Sequence, residues 1–317
     1  MAVSGSQDFN QTRDEIIKDA LILLGVVHED ETVNSSTNNF ANRMLNKMVK
    51  AWNAQGIHLW GYDEGVVIFS NDTVAYTVDT SVDNNVFKAL GLVQTTFSAD
   101  EAAAQTVLSV TSSAGMVASD VILLQLDSGE LDESTIVSVD SSTQITVTDA
   151  LATGASSGNY IYVYTSAALD GISGAKQVTN VRLRNEDGND RRMTEISREE
   201  YYDINNKTDE ATPTSYYVDH ERDYPVIHVW PEPNSLKEQL RFTYVKSLDD
   251  FDSSTDNPDF PQEWLEAMTY QLATRLAPAY GKEAKMQVLA PIAQAFLDLA
   301  MEWDNEPADL SYAPEMN

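Results

Sequence analysis

The sequence contains no cysteine, so disulfides and thiolate metal sites are both impossible, and a cysteine-stapled secreted scaffold is excluded. Positive charge is scarce. Lys and Arg together number 20 against 50 Asp and Glu, a formal net charge of -30. A protein whose main task is to grip phosphates needs a basic surface, so tight or sequence-specific nucleic-acid binding is disfavoured. An acidic wall still permits DNA to pass, because it repels the polyanion and lets it slide. No apolar run approaches membrane-spanning length, and Met1 to Asn10 lacks the basic and apolar regions of a signal peptide. The expectation is a protein made in the cytoplasm with no membrane association.

Catalytic signatures are missing as well. There is no Gly-x-Ser-x-Gly elbow, phosphate loop or dinucleotide glycine fingerprint, so no catalytic or cofactor-binding residue is assigned and none is expected. The four histidines, His28, His58, His220 and His228, stand in separate contexts without metal-ligand spacing. Asp249, Asp250, Asp252, Asp256 and Asp259 crowd one stretch, but the EF-hand order with its central glycine is absent, and a solvated linker is the expected reading. Carboxylates are numerous enough that some acid and base pair could be nominated for polysaccharide hydrolysis, yet no motif selects one.

What is present is organisation. At 317 residues with 42% hydrophobic content, the chain can bury a proper core. Thr12 and Glu15 form a capping-box pattern, and Ile16, Ile17, Ala20, Leu21 and Leu24 follow at helical spacing until Gly25, which predicts a helix over 12–24. Ser36 or Thr37 can cap a second helix in which Phe40, Met44, Met48 and Trp52 fall four apart and form the expected core stripe. Near the other end, Pro261 fits a first helical position, with Trp264, Leu265, Met268, Leu272 and Leu276 on one face over 261–277. A fourth helix is expected over 282–304, carrying Met286, Leu289, Ile292, Phe296, Leu299 and Trp303, with Pro291 inside it.

The grammar between these helices is that of strands. Gly65–Ser70 and Thr73–Thr80 flank the turn pair Asn71-Asp72 and read as a hairpin. From Gly61 to Asp170 there are 15 acidic residues and one basic residue, Lys88, among short Ser-, Thr- and Val-rich runs at the spacing of a small sandwich or barrel. Strand-rich sequence resumes over 177–245, with Asp187-Gly188 as a turn and a capped helical turn at Ser197–Glu200.

The expected fold is therefore α+β: a discontinuous antiparallel helical bundle built from N- and C-terminal helices, with a large inserted antiparallel β region. Its expected parts are 1–58, the first half of the helical hub; 59–257, the β insertion, with 86–166 as a small inner β subdomain; 258–306, the second half of the hub; and 307–317, an extended arm.

Two features suit partner contacts. Arg182, Arg184, Arg191, Arg192 and Arg198 lie within seventeen residues of an otherwise acidic chain. They could meet a carboxylate-rich neighbour or a DNA backbone, since arginine forks suit both. They fit equally a solvated face balanced by Glu186, Asp187, Asp190 and Glu195. The arm carries Leu310, Tyr312 and Met316 as apolar anchors that could dock extended on a partner, or fray idle. A different reading, a carbohydrate-binding or fibre-like β module, rests on Tyr160, Tyr162 and Tyr164, which share one sheet face and could stack on sugars or fill a core.

Three stretches in order carry a resemblance. The first is RDEIIKDALILLG from Arg13 to Gly25 together with MLNKMVKAWNAQGI from Met44 to Ile57; the second is YPVIHVWPEP from Tyr224 to Pro233. The third is FPQEWL from Phe260 to Leu265, continuing to APAYG at Ala277–Gly281. Together they resemble the head-to-tail adaptor family of short-tailed bacteriophages, also called tubular tail protein A or packaged-DNA-stabilising protein. The resemblance implies a non-enzymatic virion protein at the tail or neck, forming a ring of twelve copies beneath the portal protein. It further implies a C-terminal arm that reaches a neighbour or the portal, contact with tail nozzle or tubular tail components, and transient passage of double-stranded DNA. The long insertion over 86–166 departs from the smallest members of that family.

Overall fold

The computed structural model describes residues 9–55, 61–83, 85–164 and 172–303. Two helices open the chain, α1 (Arg13–Leu24) and α2 (Ser35–Ala54). Nine strands follow: β1 (Tyr62–Ile68), β2 (Ala75–Thr77), β3 (Val86–Lys88), β4 (Leu92–Thr96), β5 (Val107–Ser109), β6 (Val121–Gln125), β7 (Leu131–Ser141), β8 (Gln144–Val147) and β9 (Tyr160–Tyr164). Next come β10 (Ala175–Arg184), β11 (Asp190–Arg192), β12 (Thr194–Glu195), a short helix α3 (Arg198–Asp203) and β13 (Glu210–Ala211). The strand region ends with β14 (Ser215–His220), β15 (Pro225–Trp230), β16 (Glu232–Pro233) and β17 (Gln239–Lys246). Helices α4 (Leu265–Leu276) and α5 (Glu283–Trp303) complete an α+β fold. The chain divides into two compact units, one from 1–61 with 248–317 and one from 62–247.

In the helical unit, Thr12 and Glu15 close the predicted capping box, the Thr12 amide donating to the Glu15 carboxylate at 2.8 Å. Gly25 ends α1 at φ 63°, a conformation that costs an L side chain energy and glycine almost nothing. The cap of α2 differs from expectation. Asn34, and neither Ser36 nor Thr37, takes the position, its side-chain oxygen accepting from the Thr37 amide at 2.9 Å. The buried line of α2 is Ala41, Leu45, Met48, Val49 and Trp52, while Phe40 and Met44 lie at its margin. Pro261 precedes a 3-10 turn at Gln262–Trp264, and α4 begins only after it. All four long helices join one core around Trp264, whose ring meets Trp52 edge-on at 5.5 Å.

The Asp249–Asp259 stretch is a largely exposed linker, pinned to the helical unit at a few points. Leu248 and Phe251 are buried in the helical core, and Asn42 and Asn46 each donate to the Phe251 carbonyl at 3.2 Å. Its aspartates mark where the chain surfaces between these anchors. Lys50 meets Asp250 at 2.9 Å, and Asp256 accepts from the amides of Asp252 and Ser253.

The β unit is layered. A five-stranded sheet, ordered β11-β10-β17-β1-β3, has one face packed on a four-stranded sheet, ordered β12-β14-β15-β2. Val67, Phe69, Leu240, Phe242 and Tyr244 point into that core. Gly65 pairs with Phe242, and a Cβ at Gly65 would run into the Phe242 ring, so glycine lets the aromatic lie flat across β1. The pairings are antiparallel apart from two-residue parallel contacts of β12 with β14 and of β13 with β16. The hairpin expected around Asn71-Asp72 does not form. β1 and β2 enter different sheets that pack on each other, and the turn brings the Tyr76 ring, tilted, to 5.9 Å from Phe69 in the shared core.

The other face of the five-stranded sheet carries Val66, Ile68 and Phe87 against Leu123, Tyr162 and Tyr164 of a six-stranded sheet, ordered β4-β9-β6-β7-β8-β5. That sheet curls until its edges meet: Phe97 bridges Val110, and the Thr111 amide donates to the Thr96 carbonyl at 2.9 Å. The result is a small barrel filled by Phe97, Ile122, Leu124, Ile136, Ile145, Ile161 and Val163. Its strands begin at Leu92; β3, at Val86–Lys88, pairs with β1 in the parent sheet.

Candidate functional site

Hairpin β10–β11 gathers most of the arginines, since its register sets Arg182 opposite Arg192, Leu183 opposite Arg191 and Arg184 opposite Asp190. Successive strand residues alternate faces, so Arg182 and Arg184 share the side that carries Asp190. Asp190 accepts from the Arg184 Nε at 2.6 Å and Nη2 at 2.9 Å, and from the Arg182 Nε at 2.9 Å. The other end of Arg182 pairs with Glu64 on β1. These donors, Arg184 first and Arg182 with it, pull the Asp190 carboxyl down to about 2.

Arg191 faces the other way and donates to the Pro213 carbonyl at 2.7 Å. Arg198 sits on α3, its guanidinium 5.6 Å from the centre of the Tyr202 ring and 3.9 Å from Asp219, with most of its side chain in solvent. Thus Arg182, Arg184 and Arg191 are engaged within the chain, whereas Arg192 and Arg198 are exposed, Arg198 with only loose contacts to Tyr202 and Asp219. Of the four carboxylates expected to balance them, Asp190 does so; Glu186 lies 3.8 Å from Lys237, and Glu195 accepts from the Tyr216 hydroxyl at 3.3 Å.

One member of this cluster was invisible in the local sequence. Arg241 on β17 lies directly across from Arg182, and burial together with the neighbouring Arg184 depresses its pKa. Only the β10–β17 register brings it there. Proximity of like charges is tolerated because Glu64 and Asp190 sit among the three guanidinium groups.

The tyrosines of the carbohydrate reading turn inward. Tyr162 and Tyr164 are buried between the barrel and the five-stranded sheet, and Tyr164 stacks on Phe87 with ring centres 3.6 Å apart. Tyr160 is partly buried at the edge of the same cluster. A ring enclosed on both faces has no platform to offer a sugar. Burial also raises the Tyr164 hydroxyl well above the usual tyrosine range.

Among the described residues, no group of three or more His, Asp or Glu side chains is placed to hold a metal ion. His228 packs against Tyr201 at 5.1 Å and Tyr217 at 5.6 Å, and burial lowers its pKa. His58 and the arm anchors Leu310, Tyr312 and Met316 lie outside the described residues. No helix among the described residues is long and apolar enough to cross a membrane.

Comparison with known proteins bears on what these surfaces serve. No curated protein matches the sequence. Among solved structures, VP17, a capsid protein of bacteriophage P23-77, aligns at 12% identity over 62% of this chain and 73% of its own, with a TM-score of 0.13 that carries no argument about fold. The sequence model of the SU10 adaptor protein family matches residues 133–311, from near the start of β7 through the parent sheets and α4 and α5. That span is more than half of the chain and contains both the arginine hairpin and the C-terminal helices. The family is structural, made up of phage head-to-tail adaptors of the virion, and this chain belongs to it.

Proposed function

We propose that the chain forms a ring of twelve copies at the head-to-tail junction, docks on the portal protein, extends the DNA channel, helps retain packaged DNA and presents a platform for tail components. The observation that carries this reading is the family match across the C-terminal part of the chain. The charge supports it. With a net charge of -30, and with no Lys or Arg between Leu92 and Tyr164, the chain offers DNA little to hold, as suits a wall past which DNA must move. Arg192 and Arg198, exposed members of the arginine set, serve as contacts to an acidic neighbour, and Leu310, Tyr312 and Met316 anchor the arm to a neighbouring or portal subunit.

Mass photometry of the full chain, alone and mixed with portal rings from the same particle, tests the proposal. Ring-sized complexes should form only in the mixture. A chain that keeps its free size in the presence of portal would overturn the junction role.

A further inference from the structure

Helix α5 carries more apolar surface than its own core covers. Ala293, Leu297 and Ala300 are buried and Leu289 and Phe296 are packed against the helical core. Beside them runs a second line, Val288, Ile292, Ala295 and Leu299, spaced four, three and four, which is the rhythm of a helix-pairing seam. This line faces solvent: Val288 is 64% exposed, Ile292 40% and Leu299 63%. Scattered apolar residues on a surface are ordinary, but four in one helical register form a face that association would bury.

The order along the line indicates what covers it. Lys285 stands three residues before Val288, and Glu302 three residues after Leu299, so the seam opens on a cation and closes on an anion. Read inward from its two ends it is complementary to itself: Lys285 matches Glu302, Val288 matches Leu299, and the large Ile292 matches the small Ala295. A second copy of α5 laid antiparallel, with the two-fold axis between residues 293 and 294, makes every one of these pairs twice, as an isologous contact requires. A parallel arrangement would set Lys285 on Lys285 and Glu302 on Glu302. Lys285 also donates to the Leu23 carbonyl at 3.0 Å, so its contact with Glu302 of a second copy uses the remaining N–H groups of the ammonium.

We propose that the free chain pairs with a second copy of itself through this antiparallel α5 seam. The inference goes beyond the ring reading, because a two-fold contact closes on itself and cannot propagate around a single ring. Pairing and ring closure are therefore separate contacts of the chain.

Sedimentation equilibrium of the full chain over a concentration series, at about 0.15 M salt so that the repulsion of two acidic chains is screened beyond about 8 Å, is the test. The wild type should show a monomer–dimer equilibrium. Glu302→Lys, which places Lys against Lys285, should raise the dimer Kd about tenfold, and adding Lys285→Glu in the same chain should restore it. Leu299→Asp should abolish the dimer while circular dichroism stays unchanged. A wild type that sediments as a monomer throughout, or a dimer indifferent to Glu302→Lys and Leu299→Asp, would overturn the proposal. Portal is absent from this experiment, so its failure leaves the ring reading standing, and failure of the portal mixture leaves the pairing standing.

Discussion

The helical unit and the β unit dispose of their apolar residues in opposite ways. The β unit covers both faces of its five-stranded sheet and fills its barrel, so its large side chains are shared among three buried clusters. The helical unit has one cluster and one helix, α5, left half in solvent. A sheet flanked on both sides is finished within a single chain, whereas a helix with two apolar faces needs something beyond its own core. The contrast is between a sheet covered on both faces and a helix that leaves one apolar line in solvent.

The contrast can be broken or sharpened by substitution. If the helical unit depends on its one cluster, Trp264→Ala should cost about 3–5 kcal/mol, since Trp264 is fully buried against Trp52 and Phe260. Urea unfolding followed by tryptophan fluorescence would read the loss, and a cost near zero would deny that the helices share one core. In the β unit the tight point is Gly65. Gly65→Ala pushes a methyl into the Phe242 ring and should destabilise by about 1–3 kcal/mol, visible as a lower thermal midpoint.

A smaller effect of opposite sign is expected at Tyr164, whose buried hydroxyl lacks a hydrogen-bond partner among the described residues. Tyr164→Phe should stabilise the β unit by about 1 kcal/mol, because a buried unsatisfied group is removed while the stack on Phe87 stays. Calorimetry showing destabilisation would mean that the hydroxyl is satisfied.

The smallest effect concerns pH. The Asp190 carboxyl is depressed in the folded chain to about 2 from an ordinary value of about 3.9. Its contribution is therefore fully present above the ordinary value and is lost as pH falls towards 2. Asp190 is partly exposed, so the contribution should stay under about 1 kcal/mol. Asp190→Asn should flatten the stability profile between about pH 4 and 2 and leave the helical unit unchanged. An acid limb that keeps its slope in the variant would assign the loss to other carboxylates.

How much of this was legible in the sequence also divides between the units. Helices announce themselves through neighbours in sequence: the Thr12–Glu15 box, Gly25 and the spacing of α4 needed only local reading. Even the missed cap, Asn34, lay within three residues of the residues expected to provide it. Strands take their partners from afar. The alternation of Tyr160, Tyr162 and Tyr164 showed that they share a face, but both faces of β9 are covered, so alternation could not tell an outer face from an inner one. The separation of β1 from β2, and the arrival of Arg241 beside Arg182, follow from pairings with strands far along the chain. The exposed line of α5 was half visible: Ile292 and Leu299 were named among the apolar residues of the fourth helix, but Val288 and Ala295, which complete the line, were not.

The barrel has one further property, which belongs to the history of the gene. Its first strand and its last lie side by side, with Leu92 directly opposite Tyr164, so the chain leaves the parent sheet and returns to it at a single doorway. A cassette with its entrance and exit together can be gained, lost or exchanged by recombination without rerouting any other strand. Its removal would unroof Val66, Ile68 and Phe87 on the sheet beneath and free Gln239 and Asn71 from their partners Gln94 and Ser128. The acidic barrel is thus attached to its scaffold as a module with a single point of entry and exit.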